Sequence, residues 1–131
     1  MMSMFDEDWM SNYAEAWNNE PGLADALQQI NFNSIIGYGL DGEDAPIGYI
    51  DVQDGKVVDS GAYDGQELNW DLRATSDNWS KWFKKPPGMM GLGVAYTTKK
   101  LKFIKGDYAA MVKDPRMAGP FIKSFGVMGK A

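Results

Sequence analysis

The amino-acid sequence predicts an α+β fold in which about five helices accompany a mainly antiparallel sheet of five strands. Apolar residues recur with the helical period before residue 31 and from residue 76 onward, and with the strand period of two in between. The chain has 131 residues, a length that suits one domain and allows roughly two-thirds of the unfolded surface to be buried. We therefore expect residues 1–131 to form a single domain.

The N-terminal segment predicts two helices. An aromatic residue falls at every fourth position of the first one: Phe5, Trp9, Tyr13 and Trp17. Such a stripe stays on one helix face, and the acidic residues 6–8 suit the positive end of the helix. After Pro21-Gly22, a second and shorter helix is indicated by the spacing of Leu23, Leu27 and Ile30.

The middle of the chain predicts four strands in a meander. Alternation begins in NFNSIIGYGL. One face of this predicted strand carries Gly37 and Gly39, and because glycine has no side chain, another segment can approach that face closely. Asp54-Gly55 separates PIGYIDV from KVVDSGA, which is a strong signal for an antiparallel hairpin. LNWDLRAT alternates most regularly, so we expect one sheet face to be covered and the other to be partly solvated.

The last third predicts helices around a fifth strand. Ser76 or Asp77 can cap a helix that ends at Lys85, and the following MMGLGVAY is expected to be flexible and too small to fill a core tightly. Residues 99–105 indicate the fifth strand, and Gly106-Asp107 a sharp turn into a helix. Asp114-Pro115 starts the last helix, in which Gly119-Pro120 should cause a kink or a restart.

The composition excludes several kinds of chemistry. The chain has no cysteine and no histidine, so disulfides, thiolate metal sites, cysteine nucleophiles and histidine bases are ruled out. No cofactor is expected. No apolar run is long enough to span a membrane and no basic-then-apolar leader is present, so we expect a soluble protein that is not exported.

Charge is distributed very unevenly along the chain. Residues 1–75 contain fifteen acidic and two basic residues, whereas residues 76–131 contain three acidic and eleven basic ones. The two parts carry −13 and +8, which sum to the net charge of −5. Either the parts lie together and neutralise each other, or the basic part meets an anionic head group. A pI near 4.6 argues against nucleic acid as a partner.

The sequence resembles the sterol carrier protein 2 domain family. The resemblance rests on four segments: NSIIGYGL, GYIDVQDGKVV, LRATSDNWSKWF, and LKFIKGDYAAMVK followed by PFIKSF. It covers roughly residues 10–128 and depends more on the order of these segments than on any one of them. It implies a five-stranded, mainly antiparallel sheet and a helical layer that enclose a hydrophobic tunnel. It also implies non-catalytic binding of sterols, fatty acids, fatty acyl-CoA or phospholipids.

The sequence departs from the family pattern in three places, one of which is Thr97-Thr98-Lys99-Lys100, where family members often have a glycine just before the fifth strand. Phe103 and Ile104 are adjacent where the family alternates lysine with aliphatic residues, so one of them points away from the tunnel unless a bulge intervenes. The chain ends in Met-Gly-Lys-Ala instead of a peroxisomal signal. We therefore expect a cytoplasmic protein.

Methionine and aromatic residues of the last third are the predicted ligand contacts. Nine methionines give adaptable apolar surface, although any single one is more commonly ordinary core. The predicted cavity wall consists of Trp79, Trp82, Phe83, Met89, Met90, Leu92, Phe103, Met111, Met117, Phe121, Phe125 and Met128.

Four lysines are candidate head-group contacts: Lys99, Lys100, Lys102 and Lys105. They could bind a carboxylate, a phosphate or, transiently, an anionic membrane surface. Equally, lysines on an edge strand prevent edge-to-edge pairing.

Two other functions are compatible with the sequence. An enzyme would need a carboxylate pair such as Asp6/Asp8, Glu43/Asp44 or Asp51/Asp54, but these pairs lie at a helix start, in a turn and beside a hairpin, where nothing perturbs them. An interaction module, accessory to an enzyme system, would close the aromatic surface with a partner chain. We expect a lipid or acyl-CoA ligand, and a monomer or homodimer.

Overall fold

A computed structural model describes residues 3–131 and contains a five-stranded sheet and six helices in this range. The strands are β1 (Ser34–Leu40), β2 (Gly48–Gln53), β3 (Lys56–Ala62), β4 (Trp70–Ala74) and β5 (Lys102–Lys105). The helices are α1 (Glu7–Asn18), α2 (Ala24–Gln28), α3 (Ser76–Lys84), α4 (Met89–Thr97), α5 (Tyr108–Lys113) and α6 (Pro115–Met128). The α+β class and the five strands are confirmed.

The sheet order corrects the predicted meander. The strands lie in the order β3-β2-β1-β4-β5, so β4 pairs with β1 instead of β3. The β1–β4 pair is parallel and the other three pairs are antiparallel, so the sheet is mainly antiparallel as expected. The error arises because alternation fixes the face that a residue occupies but not the neighbour of its strand.

The glycine-bearing face of β1 is approached closely, as predicted. A Cβ atom on Gly37 would lie 2.8 Å from Leu68, and one on Gly39 would lie 2.7 Å from the backbone of Pro46. Leu68 belongs to the β3–β4 connection and Pro46 to the β1–β2 connection. Both connections therefore cross this outer face of the sheet, where a larger residue on β1 would block them.

Helix α1 packs Trp9, Tyr13 and Trp17 of the predicted stripe against the other face of the sheet, whereas Phe5 lies before the helix, with φ 64°, and is also buried. Asp6 accepts a hydrogen bond from the Trp9 backbone N–H at 2.9 Å and caps the helix. Trp17 donates from its indole nitrogen to the Gly55 carbonyl at 2.8 Å, and this contact fixes the helix to the β2–β3 hairpin. Asp54 and Gly55 both have positive φ in that hairpin, which confirms the predicted tight turn.

Three predictions for the last third are corrected. The MMGLGVAY segment forms the regular helix α4, because its spacing of small and apolar residues allows Leu92 and Ala95 to be buried together. Helix α6 continues through Gly119-Pro120 without a break. Strand β5 is shorter than expected, since residues 99–101 belong to the turn after α4.

A bulge resolves the adjacent apolar pair in β5. Leu72 pairs with Phe103 and Asp71 with Lys105, so Ile104 is the one extra residue on β5. Phe103 is half buried and Ile104 is 59% exposed. After the bulge, Asp107 accepts from the Ala110 backbone N–H at 3.0 Å and starts α5, which confirms the predicted corner.

The outer face at β4 is only partly solvated, as expected: Asn69 and Thr75 at the two ends are exposed, whereas its middle is covered. Asp71 and Arg73 are both buried there and form an ion pair at 2.6 Å. Arg73 also donates to the Glu43 carbonyl at 2.7 Å, so the pair holds the β1–β2 connection over the sheet. Only the ion pair of Lys102 with Asp41, at 3.0 Å, joins the acidic and basic parts within residues 3–131. No helix in this range is both long enough and apolar enough to cross a bilayer.

Candidate functional site

The candidate site is an apolar cavity of about 40 Å³ between the sheet and the helices that follow β5. Its wall contains two hydroxyl-bearing residues, Tyr38 on the sheet and Ser124 on α6, and is otherwise almost wholly apolar. The residues that line it are Trp17, Leu23, Leu27, Phe32, Ile36, Tyr38, Trp70, Leu72, Met111, Met117, Pro120, Phe121 and Ser124. An apolar wall of this kind is typical of sites that bind apolar groups.

The sheet supplies the floor of the cavity through its one parallel pair. Ile36 on β1 lies beside Trp70 on β4, and Tyr38 lies beside Leu72. Alternate residues point to the same face, so these four side chains form one continuous surface under the helices. The strand order that the sequence did not reveal is therefore what assembles the floor.

Helices α5 and α6 supply the roof. Met111 on α5 is buried, whereas Met117 and Phe121 on α6 are half buried. Asp114 separates the two helices and caps α6 by accepting from the Arg116 backbone N–H at 3.0 Å. Because Met117 and Phe121 are partly exposed, they lie between the cavity and solvent.

Trp70 at the cavity margin depends on the glycine of the strand-to-helix corner. Gly106 has φ +105°, and a Cβ atom there would lie 2.2 Å from Trp70 Cε3. The indole nitrogen of Trp70 donates to Ser34 at 3.3 Å. The ring is therefore held between a backbone that must be glycine and a hydrogen bond on β1.

The hydroxyl groups near the cavity have hydrogen-bond partners within the protein. The hydroxyl oxygens of Tyr13 and Tyr38 are 2.9 Å apart, and Ser124 donates to the Phe121 carbonyl. Burial raises the pKa of Tyr13 and of Tyr38 well above the ordinary tyrosine range. Both hydroxyl groups therefore stay protonated at physiological pH.

The structure brings three of the predicted ligand residues to this cavity: Met111, Met117 and Phe121. Phe103 is adjacent, because its ring centroid lies 5.8 Å from that of Phe121 and 6.0 Å from that of Trp70. Met111, Met117 and Phe121 are therefore the part of the predicted wall that lines the cavity, and Phe103 lies next to them. Their role in ligand binding stays a prediction.

The other predicted ligand residues lie elsewhere. An aromatic cluster beneath α1 contains Trp79, Trp82, Phe83 and Phe125, and in it the Trp79 ring centroid lies 5.1 Å from that of Phe5. Leu92 and Met128 are also buried. Met89 and Met90 are exposed on α4, by 47% and 85%.

The predicted head-group lysines do not form one cluster of ion pairs. Lys102 pairs with Asp41, whereas Lys99, Lys100 and Lys105 are exposed. Lys99 and Lys100 follow α4, and Lys105 ends β5. Their role at a head group also stays a prediction.

Ten lining residues were not among the predicted contacts. They come from the first half of the chain, from β4 and from α6: Trp17, Leu23, Leu27, Phe32, Ile36, Tyr38, Trp70, Leu72, Pro120 and Ser124. The periodicity had already placed most of them on apolar faces. Residues 3–131 contain no group of three or more acidic side chains that could hold a metal ion.

Solved structures share this architecture over nearly the whole chain. A crystal structure of sterol carrier protein 2 matches with a TM-score of 0.77 at 16% identity, covering 98% of this chain and 99% of that one. The fold is that of sterol carrier protein 2. A solution structure of a conserved hypothetical protein from Thermus thermophilus, a candidate sterol carrier protein, matches with a TM-score of 0.71 at 17% identity and covers 100% and 93% of the two chains.

A third structure with this fold belongs to a different biochemical setting. It is UbiJ-SCP2, a ubiquinone synthesis protein, with a TM-score of 0.56 at 12% identity and coverage of 91% of this chain and 86% of that one. No sequence profile of a protein family matches the chain, and no curated protein does. At these identities the sterol carrier protein 2 comparison establishes the fold and leaves the ligand open.

Proposed function

We propose that the protein binds the hydrocarbon part of a lipid between the sheet and α5–α6 and carries it in the cytoplasm without chemical change. The observation that carries this proposal is the cavity with its almost wholly apolar wall. The ligands that suit it are a sterol, a fatty acid or a fatty acyl-CoA. The hydroxyl groups of Tyr13 and Tyr38 beside it are 2.9 Å apart and bond to each other.

Binding requires side chains to move. A micromolar dissociation constant corresponds to about 8 kcal/mol, the transfer free energy of about 330 Å² of apolar surface before association costs. An apolar cavity of about 150 Å³ accepts one benzene molecule, and the cavity described above measures about 40 Å³. Met111 and Met117 are flexible and line the roof, so we expect them, together with Phe121, to make room for a chain.

Native mass spectrometry of the purified protein tests the carrier function. We expect a lipid to co-purify, and added fatty acid to bind with one molecule per chain. Unchanged mass and chemistry of the bound lipid after incubation support a carrier. Hydrolysis of an added ester or thioester would instead show an enzyme.

A matched pair of variants on α6 tests the site. Met117 lines the cavity and Ile122 does not, although both are half buried on the same helix. Met117→Gln keeps the side-chain shape but places an amide against the hydrocarbon, at a cost of about 1–3 kcal/mol. We expect roughly tenfold weaker binding of a fatty acid by Met117→Gln, and binding within about twofold of wild type by Ile122→Gln. Equal effects of both variants would place the ligand elsewhere.

A second function, an interaction module of an enzyme system, is favoured by the small size of the cavity. In that case the fold would present its surface to a partner protein and transport no ligand. The likeness to the fold of UbiJ-SCP2, a ubiquinone synthesis protein, is compatible with this alternative. A protein that purifies without lipid and binds no fatty acid, alcohol or sterol would favour it.

A further inference from the structure

Helix α4 lies in the middle of an unusual segment. Residues 84–100 read KKPPGMMGLGVAYTTKK, so thirteen uncharged residues stand between two lysine pairs. The helix spans Met89–Thr97. At 1.5 Å per residue it is about 13 Å long, far too short to cross a bilayer but long enough to lie on one.

The outward face of α4 is apolar. Met90 is 85% exposed, Val94 is 55% exposed and Met89 is 47% exposed. Met90 and Val94 are four residues apart and therefore share one side of the helix. Large apolar side chains clustered on a surface indicate an interaction site.

The opposite face fixes α4 to the body of the protein. Leu92 and Ala95 are buried, and the Tyr96 ring stacks on the Tyr108 ring of α5 at a centroid distance of 4.0 Å. The helix thus has a regular and anchored inner side. Met90 lies in the first turn of this helix, where the Leu92 backbone N–H donates to the Gly88 carbonyl at 2.8 Å.

The lysines beside α4 have no acidic partners in the described part of the chain. Lys84 ends α3 and Lys85 follows it, before α4, whereas Lys99 and Lys100 come after α4. All four lysines are exposed. The ion pairs of residues 3–131 are formed by Arg73, Lys102 and Arg116. Two positive charges therefore precede α4 and two follow it along the chain.

We propose that α4 is a membrane-docking surface for an anionic bilayer. Met90 and Val94 enter the head-group region, and the lysine pairs 84–85 and 99–100 contact lipid phosphates. This function goes beyond ligand binding. A helix with an exposed apolar face and a lysine pair before and after it can bind a bilayer whether or not the cavity holds a ligand.

The charge pattern favours a bilayer over a second copy of the chain. A twofold dimer through this face would bring the same patch together from both copies. Eight lysine side chains would then meet around the contact with no acidic residue among residues 84–100 to pair with them. An anionic lipid surface, in contrast, offers many phosphates to the same lysines.

Two single-cysteine variants measure docking directly. The chain has no cysteine, so Met90→Cys and Val58→Cys can each carry one environment-sensitive fluorophore. Val58 is 61% exposed on β3 and serves as the control. With vesicles of phosphatidylcholine and phosphatidylglycerol in equal parts, we expect a blue shift at position 90 and none at position 58.

Unlabelled variants test the two contributions in a vesicle sedimentation assay. Each lysine near the surface is worth about fivefold in affinity, so replacing all four by alanine should weaken binding by about six-hundredfold. Met90→Asp should weaken it by about tenfold, whereas Val58→Asp should leave it unchanged. Circular dichroism and urea unfolding establish that each variant is folded.

Three results would overturn the proposal. The first is equal binding to vesicles of pure phosphatidylcholine, and the second is an equal shift at positions 58 and 90. The third is a shift at position 90 that depends on protein concentration and needs no vesicles, which would identify a second copy as the occupant. Failure of fatty-acid binding alone would leave vesicle docking intact, so the two proposals are tested separately.

Discussion

The corner between β5 and α5 gives a prediction whose size follows from the structure. Gly106→Ala places a methyl group at φ +105°, where a Cβ atom would lie 2.2 Å from the Trp70 ring. A positive φ costs an L-residue roughly 1–2 kcal/mol. The contact is far inside the optimal separation of about 3.5–4.0 Å, and relief of such overpacking costs about 1–3 kcal/mol.

These two costs sum to about 2–5 kcal/mol, a large part of the stability of an average domain. Urea unfolding followed by tryptophan fluorescence measures the loss. With a slope of about 2 kcal/mol per molar urea, we expect the midpoint to fall by about 1–2.5 M. The near-ultraviolet circular dichroism should change as well, because Trp70 must move.

Gly126→Ala is the matched control. It lies within α6, and its Cβ atom would meet only Pro86, at an ordinary 3.8 Å. Alanine is favoured over glycine in a helix by about 0.5–1 kcal/mol, so this variant should be slightly more stable than wild type. A Gly106→Ala protein as stable as wild type would refute the reasoning about the corner.

Three further predictions concern buried polar groups. Arg73→Met leaves the Asp71 carboxylate buried without its partner and should cost about 3–5 kcal/mol in urea unfolding, whereas the Asp71→Leu/Arg73→Met double variant should cost clearly less. Tyr13→Phe leaves the Tyr38 hydroxyl without its bond and should cost about 1–3 kcal/mol, more than the additional cost of then changing Tyr38 to Phe. Alkali should destabilise the fold: the bond to Asp59, followed by burial, raises the pKa of Tyr49 to about 12 from 10.0. Since the unfolded chain loses this proton first, stability should fall above pH 10 by about 1.4 kcal/mol per pH unit for each such tyrosine, and a flat profile from pH 10 to 12 would contradict this.

Local chemistry made much of the fold predictable from sequence. Asp6 and Asp107 cap their helices as expected, and Asp54-Gly55 forms the expected turn. In each case one side chain, or one permissive backbone position, determines the structure within a few residues. The burial of Trp9, Tyr13 and Trp17 on α1 was also predictable, because helical spacing puts them on one face, but Phe5 is buried from a position before the helix.

Long-range pairing was not predictable in the same way. The alternation in β4 placed Leu72 on an apolar face but did not show that it lies beside Tyr38 of β1. Consecutive strands usually pair, yet the connection to β4 passes over the outer face of β1 at Gly37 to reach the other side. The floor of the cavity depends on this crossing. The sequence therefore indicated that Tyr38 and Leu72 are buried, but not that they lie beside each other.

The burial of Asp71 and Arg73 on the outer face of β4 could not be predicted from the sequence, for a related reason. Asp71 and Arg73 alternate with apolar residues and therefore look like solvated positions. They are buried because the β1–β2 connection folds over them and offers the Glu43 carbonyl. A partner that lies thirty residues away in sequence leaves no periodic signal.

The proposal that the cavity receives hydrocarbon is tested most directly by methyl resonances of methionine. The protein is labelled at the methyl groups of its nine methionines and titrated with a medium-chain fatty acid below its micelle concentration. We expect the Met111 and Met117 signals, which belong to the cavity wall, to shift together and to saturate. The signal of Met90, exposed on α4, should stay in place. A titration that moves Met90 and leaves Met111 and Met117 unchanged would contradict the proposed site.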